Sequence, residues 1–293
     1  MAEVRKYVNP PAAEVICEFR FPQETTWDMT YPGLLYSSLK ETYPKRDQRY
    51  VREVVMLVGP EGLREELFVT ERSIFLAEDE GCAVQVGPRL LTVSCQKPYV
   101  HWEAFSERIM SVFNRVRDVI GIDAIGTMNL RYVNLIEIPE REVTLSDYFA
   151  FYPTLPPELP RVPEGFITGC EFAFHDNRDN CRVELTDAVP ESTENNAFLL
   201  NIDYFLAEGQ NVPPDGVADW LEIAHTHVRD IFEACIRDTL RDLFTLREEV
   251  PAAARITCAA KRPCIASRMP SLQYPKQARR PSSTCAPWAG VAT

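Results

Sequence analysis

The sequence contains no apolar run approaching the ~20 residues that a membrane-crossing helix needs. The longest candidates, such as residues 54–58, are the size of a strand. Gly-x-Ser-x-Gly, the Walker A loop, Gly-x-Gly-x-x-Gly and His-Glu-x-x-His are all missing. That removes the usual signatures of acyl transfer, nucleotide phosphate binding and zinc hydrolysis. The short run between Gly59 and Gly62 holds Pro60 and Glu61, and its carboxylate would repel phosphate. Nine cysteines include no Cys-x-x-Cys pair, and their number is odd. Neither a zinc ribbon nor a disulfide framework is therefore expected, and most of the cysteines read as small, reduced core hydrophobes. No apolar segment follows the basic residues near the start, so no export signal is expected and the chain is expected in the cytoplasm.

What is present is ordinary globular material. Of 293 residues, 45% are hydrophobic and 25% charged, a composition that supports one large or two modest domains. The charge is uneven. Residues 251–293 carry seven Lys and Arg and no acid, and removing those seven from the net of −12 leaves −19 on residues 1–250. An acidic body repels phosphate backbones and anionic lipid, which argues against direct nucleic-acid binding by the body and against a membrane partner. The 251–293 segment has no apolar periodicity. It reads as a disordered tail, with out-of-frame translation favoured over a basic interaction arm.

Periodicity organises the rest. Residues 14–21 alternate as a strand, with Val15, Cys17, Phe19 and Phe21 on one side and Ile16, Glu18 and Arg20 on the other. A helix is expected over 31–42, with Leu34, Leu35 and Leu39 on one face. Strand-like runs at 53–58, 64–76 and 83–95 predict an antiparallel meander. The spacing of Trp102, Phe105, Ile109, Val112, Phe113 and Val116 predicts an amphipathic helix over 101–120, ended by Gly121. A long strand is expected over 126–138. Prolines at 153, 156, 157, 160 and 163 mark a linker. Strands near 166–174, 181–187 and 197–206 then lead into a second amphipathic helix over 216–244. The fold class expected is α+β, with antiparallel sheets and two long amphipathic helices packed on them. The expected organisation is a half over 1–152, a second over 166–250 packed against it, and the tail. Each half reads as a meander feeding a helix. Placing Glu103 on Glu222 aligns Ile109 with Val228 and Phe113 with Phe232, so a duplicated unit is an open possibility.

Few residues suggest chemistry. Glu222 and His225 form Glu-x-x-His, which puts both on one helix face and is half of a di-iron carboxylate site in helical bundles. There is no second such pair among four histidines, so a structural hydrogen bond is the favoured reading and no metal or cofactor is predicted. Glu18, Arg20, Arg131 and Asn134 are the candidate ligand-binding residues. If both faces of their strands are covered, the charges must pair or line a cavity. Glu18-Phe19-Arg20 resembles the N-terminal Glu-x-Glu-x-Lys strand of the triphosphate tunnel enzymes. Ile16 replaces its first glutamate and Arg20 its lysine, and the departure favours a plain Glu–Arg pair over metal ligation.

One resemblance covers most of the chain. Asn9-Pro10-Pro11 through Cys17-Glu18-Phe19-Arg20-Phe21, Trp27-Asp28, the step from Tyr99 to Trp102-Glu103, Arg131-Tyr132-Val133-Asn134, and Trp220-Leu221-Glu222-Ile223-Ala224-His225 together resemble a sporadically distributed family of uncharacterised prokaryotic proteins. The resemblance spans about residues 7–248 and leaves out the tail. It implies no catalytic residues, and the family's patchy distribution is what defence or toxin–antitoxin genes show. The function expected is a non-catalytic protein that binds a protein partner or a small ligand. The alternative is an enzyme acting on a phosphorylated or nucleotide ligand in a charged cavity lined by Glu18, Arg20 and Arg131.

Overall fold

In the computed structural model, residues 5–59, 62–98, 101–156, 158–159, 165–190, 192–207 and 212–244 are described, without the side chains of 52–59 and 62–69. The tail lies outside them, as does part of the proline-rich linker. Nine strands form one antiparallel sheet in the order β2-β3-β4-β5-β1-β6-β9-β8-β7. They are β1 (Ala12–Arg20), β2 (Lys45–Gly59), β3 (Gly62–Leu76), β4 (Cys82–Gly87), β5 (Leu90–Gln96), β6 (Thr127–Ile138), β7 (Ile167–Phe174), β8 (Asp179–Ala188) and β9 (Asn196–Leu206). The helices are α1 (Tyr31–Leu39), α2 (Trp102–Ile120), α3 (Leu145–Tyr148), α4 (Val217–Cys235) and α5 (Asp238–Phe244). β1 and β6 lie side by side at the centre, so the sheet runs unbroken from the first half of the chain into the second.

Alternation decides which face is covered. Val15, Cys17 and Phe19 of β1 are fully buried, and Phe19 stacks on Phe113 of α2 with ring centroids 5.0 Å apart. Met128, Leu130, Tyr132 and Ile136 of β6 are buried on the same side, as are Leu200, Ile202 and Tyr204 of β9. α2 supplies a complementary stripe of Phe105, Ile109, Val112, Phe113 and Val116. The Nδ1 of His101 accepts a hydrogen bond from the Ala104 N–H at the start of α2. Gly121 closes its end at φ +76°, a conformation that a Cβ would disfavour.

Several expectations need correction. The 83–95 run is a hairpin, β4 and β5, turning at Pro88 and Arg89 with Arg89 at φ +58°. The expected 216–244 helix is two. α4 stops at Cys235, where Ile236 adopts an extended conformation and forms an isolated antiparallel bridge to Phe149. The Cys235 carbonyl accepts from the Ala150 N–H, which diverts the chain from helical pairing before α5. In α1, Leu35 and Leu39 are buried but Leu34 is exposed. The cysteines are not all reduced. Cys82 and Cys95 face each other across β4 and β5 and form a disulfide. Cys17, Cys181 and Cys235 are free and buried, and Cys170 is free and exposed. No helix among the described residues is long and apolar enough to cross a membrane.

Candidate functional site

The helices α1, α2 and α4 cover one face of the sheet, and the polar residues alternate onto the other. Register places them in rows across the strands. One row runs Gln85, Thr92, Glu18, Asn129 over β4, β5, β1 and β6. The next runs Ser94, Ile16, Arg131, Asp203, Arg182, Glu171 from β5 across to β7. The side chains of Glu14, Glu18, Arg20, Arg72, Gln85, Thr92, Ser94, Asn129 and Arg131 surround an open depression of about 320 Å³ on this face. Three of the four sequence-predicted residues, Glu18, Arg20 and Arg131, therefore meet there.

Asn134 does not. It lies three positions along the strand from Arg131, an odd offset, so strand alternation sends it to the opposite, helix-covered face. There it is 4% exposed and donates to the Leu200 carbonyl at 3.0 Å. Arg131 sits with Asp203 instead, Nη2 to Oδ2 at 2.6 Å, and Asn129 donates to the second Asp203 oxygen at 3.1 Å. Arg20 Nε contacts Glu18 at 2.8 Å. Arg182 bridges to Glu171 at 2.8 Å and lies over the Phe205 ring. Thus the Arg20 and Arg131 guanidinium groups each have a carboxylate partner within the chain. They are also half-exposed, at 50% and 43% of their side chains, where such pairs contribute little stability. The neighbouring Asn201 Oδ1, on the same face, is buried and has no hydrogen-bond partner among the described residues.

The Glu-x-x-His pair serves a different purpose, on the helix side. Glu222 accepts from the Trp102 indole N–H at 2.9 and 3.1 Å. His225 stacks on the same indole, centroids 4.1 Å apart and planes 5° from parallel, and its Nδ1 meets the Tyr132 hydroxyl at 3.2 Å. Burial, then the nearby Arg229 charge, lowers the His225 pKa to about 4, so the ring is neutral near pH 7. Together the pair locks the start of α2 to α4.

Sequence reasoning missed a second anchor. Asp179 is fully buried at the start of β8. Its carboxylate accepts from the Trp220 indole at 2.9 Å, from the Tyr204 hydroxyl at 2.9 Å and from Arg178 at 2.5 and 3.1 Å. Burial and the bond to Asp179 both push the Tyr204 pKa upward. A single aspartate before a strand carries no signal of this, because Tyr204 and Trp220 lie 25 and 41 residues away.

A larger open depression, about 660 Å³, lies beside α3 and the start of α5 and is lined by Glu140, Glu142, Asp147, Tyr148 and Arg237 among others. It gathers none of the sequence-predicted residues. No family model, curated protein or solved structure matches the chain.

Proposed function

We propose that the chain is a non-catalytic, cytoplasmic binding protein whose sheet face opposite α1, α2 and α4 receives a protein partner, in keeping with the patchy distribution, of the kind that defence genes show, of the family it resembles. Convergence of Glu18, Arg20 and Arg131 on one depression is what the enzyme alternative expects, and the observation that carries the binding reading is instead that this depression is open and both arginines are already paired with carboxylates of the chain. Their charges are balanced internally, with side chains reaching water. An open, hydrated surface gives little of the water exclusion that strengthens electrostatic catalysis. A broad face of mixed charge instead suits a complementary surface, where charges fix register and suppress wrong partners.

The two halves also support a duplicated unit carrying two amphipathic helices. In each, a strand is followed by a helix, a meander and a long helix, and the last meander strand returns to pair with the first. Shifting α2 onto α4 with Glu103 on Glu222 superposes the buried positions Trp102, Phe105, Ile109 and Val116 on Leu221, Ala224, Val228 and Cys235.

A second reading has its own support. Arg20, Arg72 and Arg131 all border the depression, and guanidinium groups suit phosphate by their bidentate fork. Affinity capture from the native host with wild type and with a Thr92→Arg, Arg131→Glu double variant separates the readings. A partner held by wild type and lost from the variant supports the binding protein. Calorimetric binding of pyrophosphate or a nucleoside triphosphate that is lost in Arg20→Gln and Arg131→Gln supports the alternative. Failure to capture a specific partner, with turnover of a phosphorylated compound, overturns the first reading.

A further inference from the structure

At the corner where the β7–β8 turn meets α4, two imidazoles face each other. The Nε2 atoms of His175 and His227 are 3.1 Å apart, with ring centroids 5.2 Å apart and planes at 68°. This corner is separate from the residues that line the depression on the open sheet face and does not depend on the reading of that face. We propose that His175 and His227 form an open, two-imidazole site for a divalent transition-metal ion such as Ni2+, Cu2+ or Zn2+, with water filling the remaining positions.

The geometry favours a chelate. Metal–imidazole bonds of about 2.05 Å to two nitrogens 3.1 Å apart subtend an angle of about 100° at the metal, between the tetrahedral and octahedral values. Without a metal, one Nε2 must carry a proton and the other a lone pair for the two to approach this closely. On metal binding the donor ring moves its proton from Nε2 to Nδ1 by exchange with water, so that both rings carry Nδ1–H and both Nε2 lone pairs face the ion.

The two ligands are held from opposite sides. His227 stacks on Tyr204, centroids 5.3 Å apart and planes 8° from parallel, and lies 4.6 Å from Phe174. Tyr204 is itself fixed by Asp179. His175 sits in a turn in which His175, Asp176 and Asn177 all have positive φ, closed by the Arg178 N–H donating to the His175 carbonyl. The His175 ring is exposed, so a small tilt brings both lone pairs to a common point. The negative charges of Asp179 and Asp230 reach His227 and favour a bound cation. Imidazole pairs suit the later first-row divalent ions. Among the described residues no group of three or more His, Cys, Asp or Glu could hold a metal ion, so a site here has two protein ligands and an affinity to match.

Ni2+ titration of the untagged full-length protein by calorimetry tests this, with His175→Gln, His227→Gln and Cys170→Ser alongside. The expected result is one Ni2+ per chain. Either histidine variant should bind at least tenfold more weakly, and Cys170→Ser should bind as wild type does. Ni2+ should raise the Tm of wild type and not that of His175→Gln, whose exposed turn position leaves the fold intact by circular dichroism. Undiminished affinity in His175→Gln, or loss of binding in Cys170→Ser, overturns the proposal.

Discussion

The long helices α2 and α4 both begin near a tryptophan whose indole N–H donates to a carboxylate, but the two anchors are built from different parts. Trp220 reaches down to Asp179 in the sheet beneath its own helix, and that carboxylate is fully buried. Trp102 reaches sideways to Glu222 on the other helix, at an exposed position. The first anchor ties a helix to its own half of the sheet. The second ties the halves to each other. A buried carboxylate with several donors cannot lose its role cheaply, whereas an exposed one competes with water for the same bond.

The largest expected effect tests that distinction directly. Asp179→Ala strands the Trp220 indole, the Tyr204 hydroxyl and Arg178 at once, and should cost about 3–5 kcal/mol in denaturant melts. A cost below about 1 kcal/mol would erase the contrast between the anchors.

Acid should act on the second anchor through His225, which stacks on Trp102. Its pKa is depressed from 6.5 to about 4 in the fold. The unfolded chain therefore binds the proton first, so the stability from the neutral ring is complete above about pH 6.5 and is lost as pH falls from there through 4. The expected loss is on the order of 2–3 kcal/mol. His227, whose pKa is also lowered, titrates in the same direction. His225→Gln should therefore reduce the slope of stability against pH between 6.5 and 4.5 without abolishing it. An unchanged slope would show that the stacked ring does not resist protonation.

The smallest effect sharpens the comparison from the other side. Glu222→Ala leaves Trp102 packed and removes only its exposed acceptor, so it should cost about 1 kcal/mol. A cost matching that of Asp179→Ala would mean the interlock between the halves matters as much as the buried hub.

How much of this was readable before folding depends on whether the signal is local. β1, β6 and α2 announce themselves because one face of each is apolar at a fixed period, and the same parity assigned Glu18, Arg20 and Arg131 to faces that prove to be one. Asn134 was grouped with them by its place in a motif, against its parity, and the fold follows parity. The turn inside 83–95 was hidden because Val86, Leu90 and Leu91 are apolar on both sides of it. The break between α4 and α5 was hidden because Ile236 keeps an apolar residue where the helical pattern wants one. The anchors and the Cys82–Cys95 bridge rest on partners brought together only by sheet order, which periodicity does not encode.

The row Arg131, Asp203, Arg182, Glu171 has one more consequence. A strand sliding by two residues keeps every side chain on its proper face, so alternation alone does not forbid it. Such a slip between β6 and β9 would set Arg131 opposite Asn201 or Phe205, and one between β8 and β7 would set Arg182 opposite Gly169 or Ala173. Each error trades an opposite-charge pair for a neutral neighbour, at a loss of a few tenths to about 1 kcal/mol. The charges on the open face thus work like the cuts of a key, favouring one alignment of these strands over its neighbours.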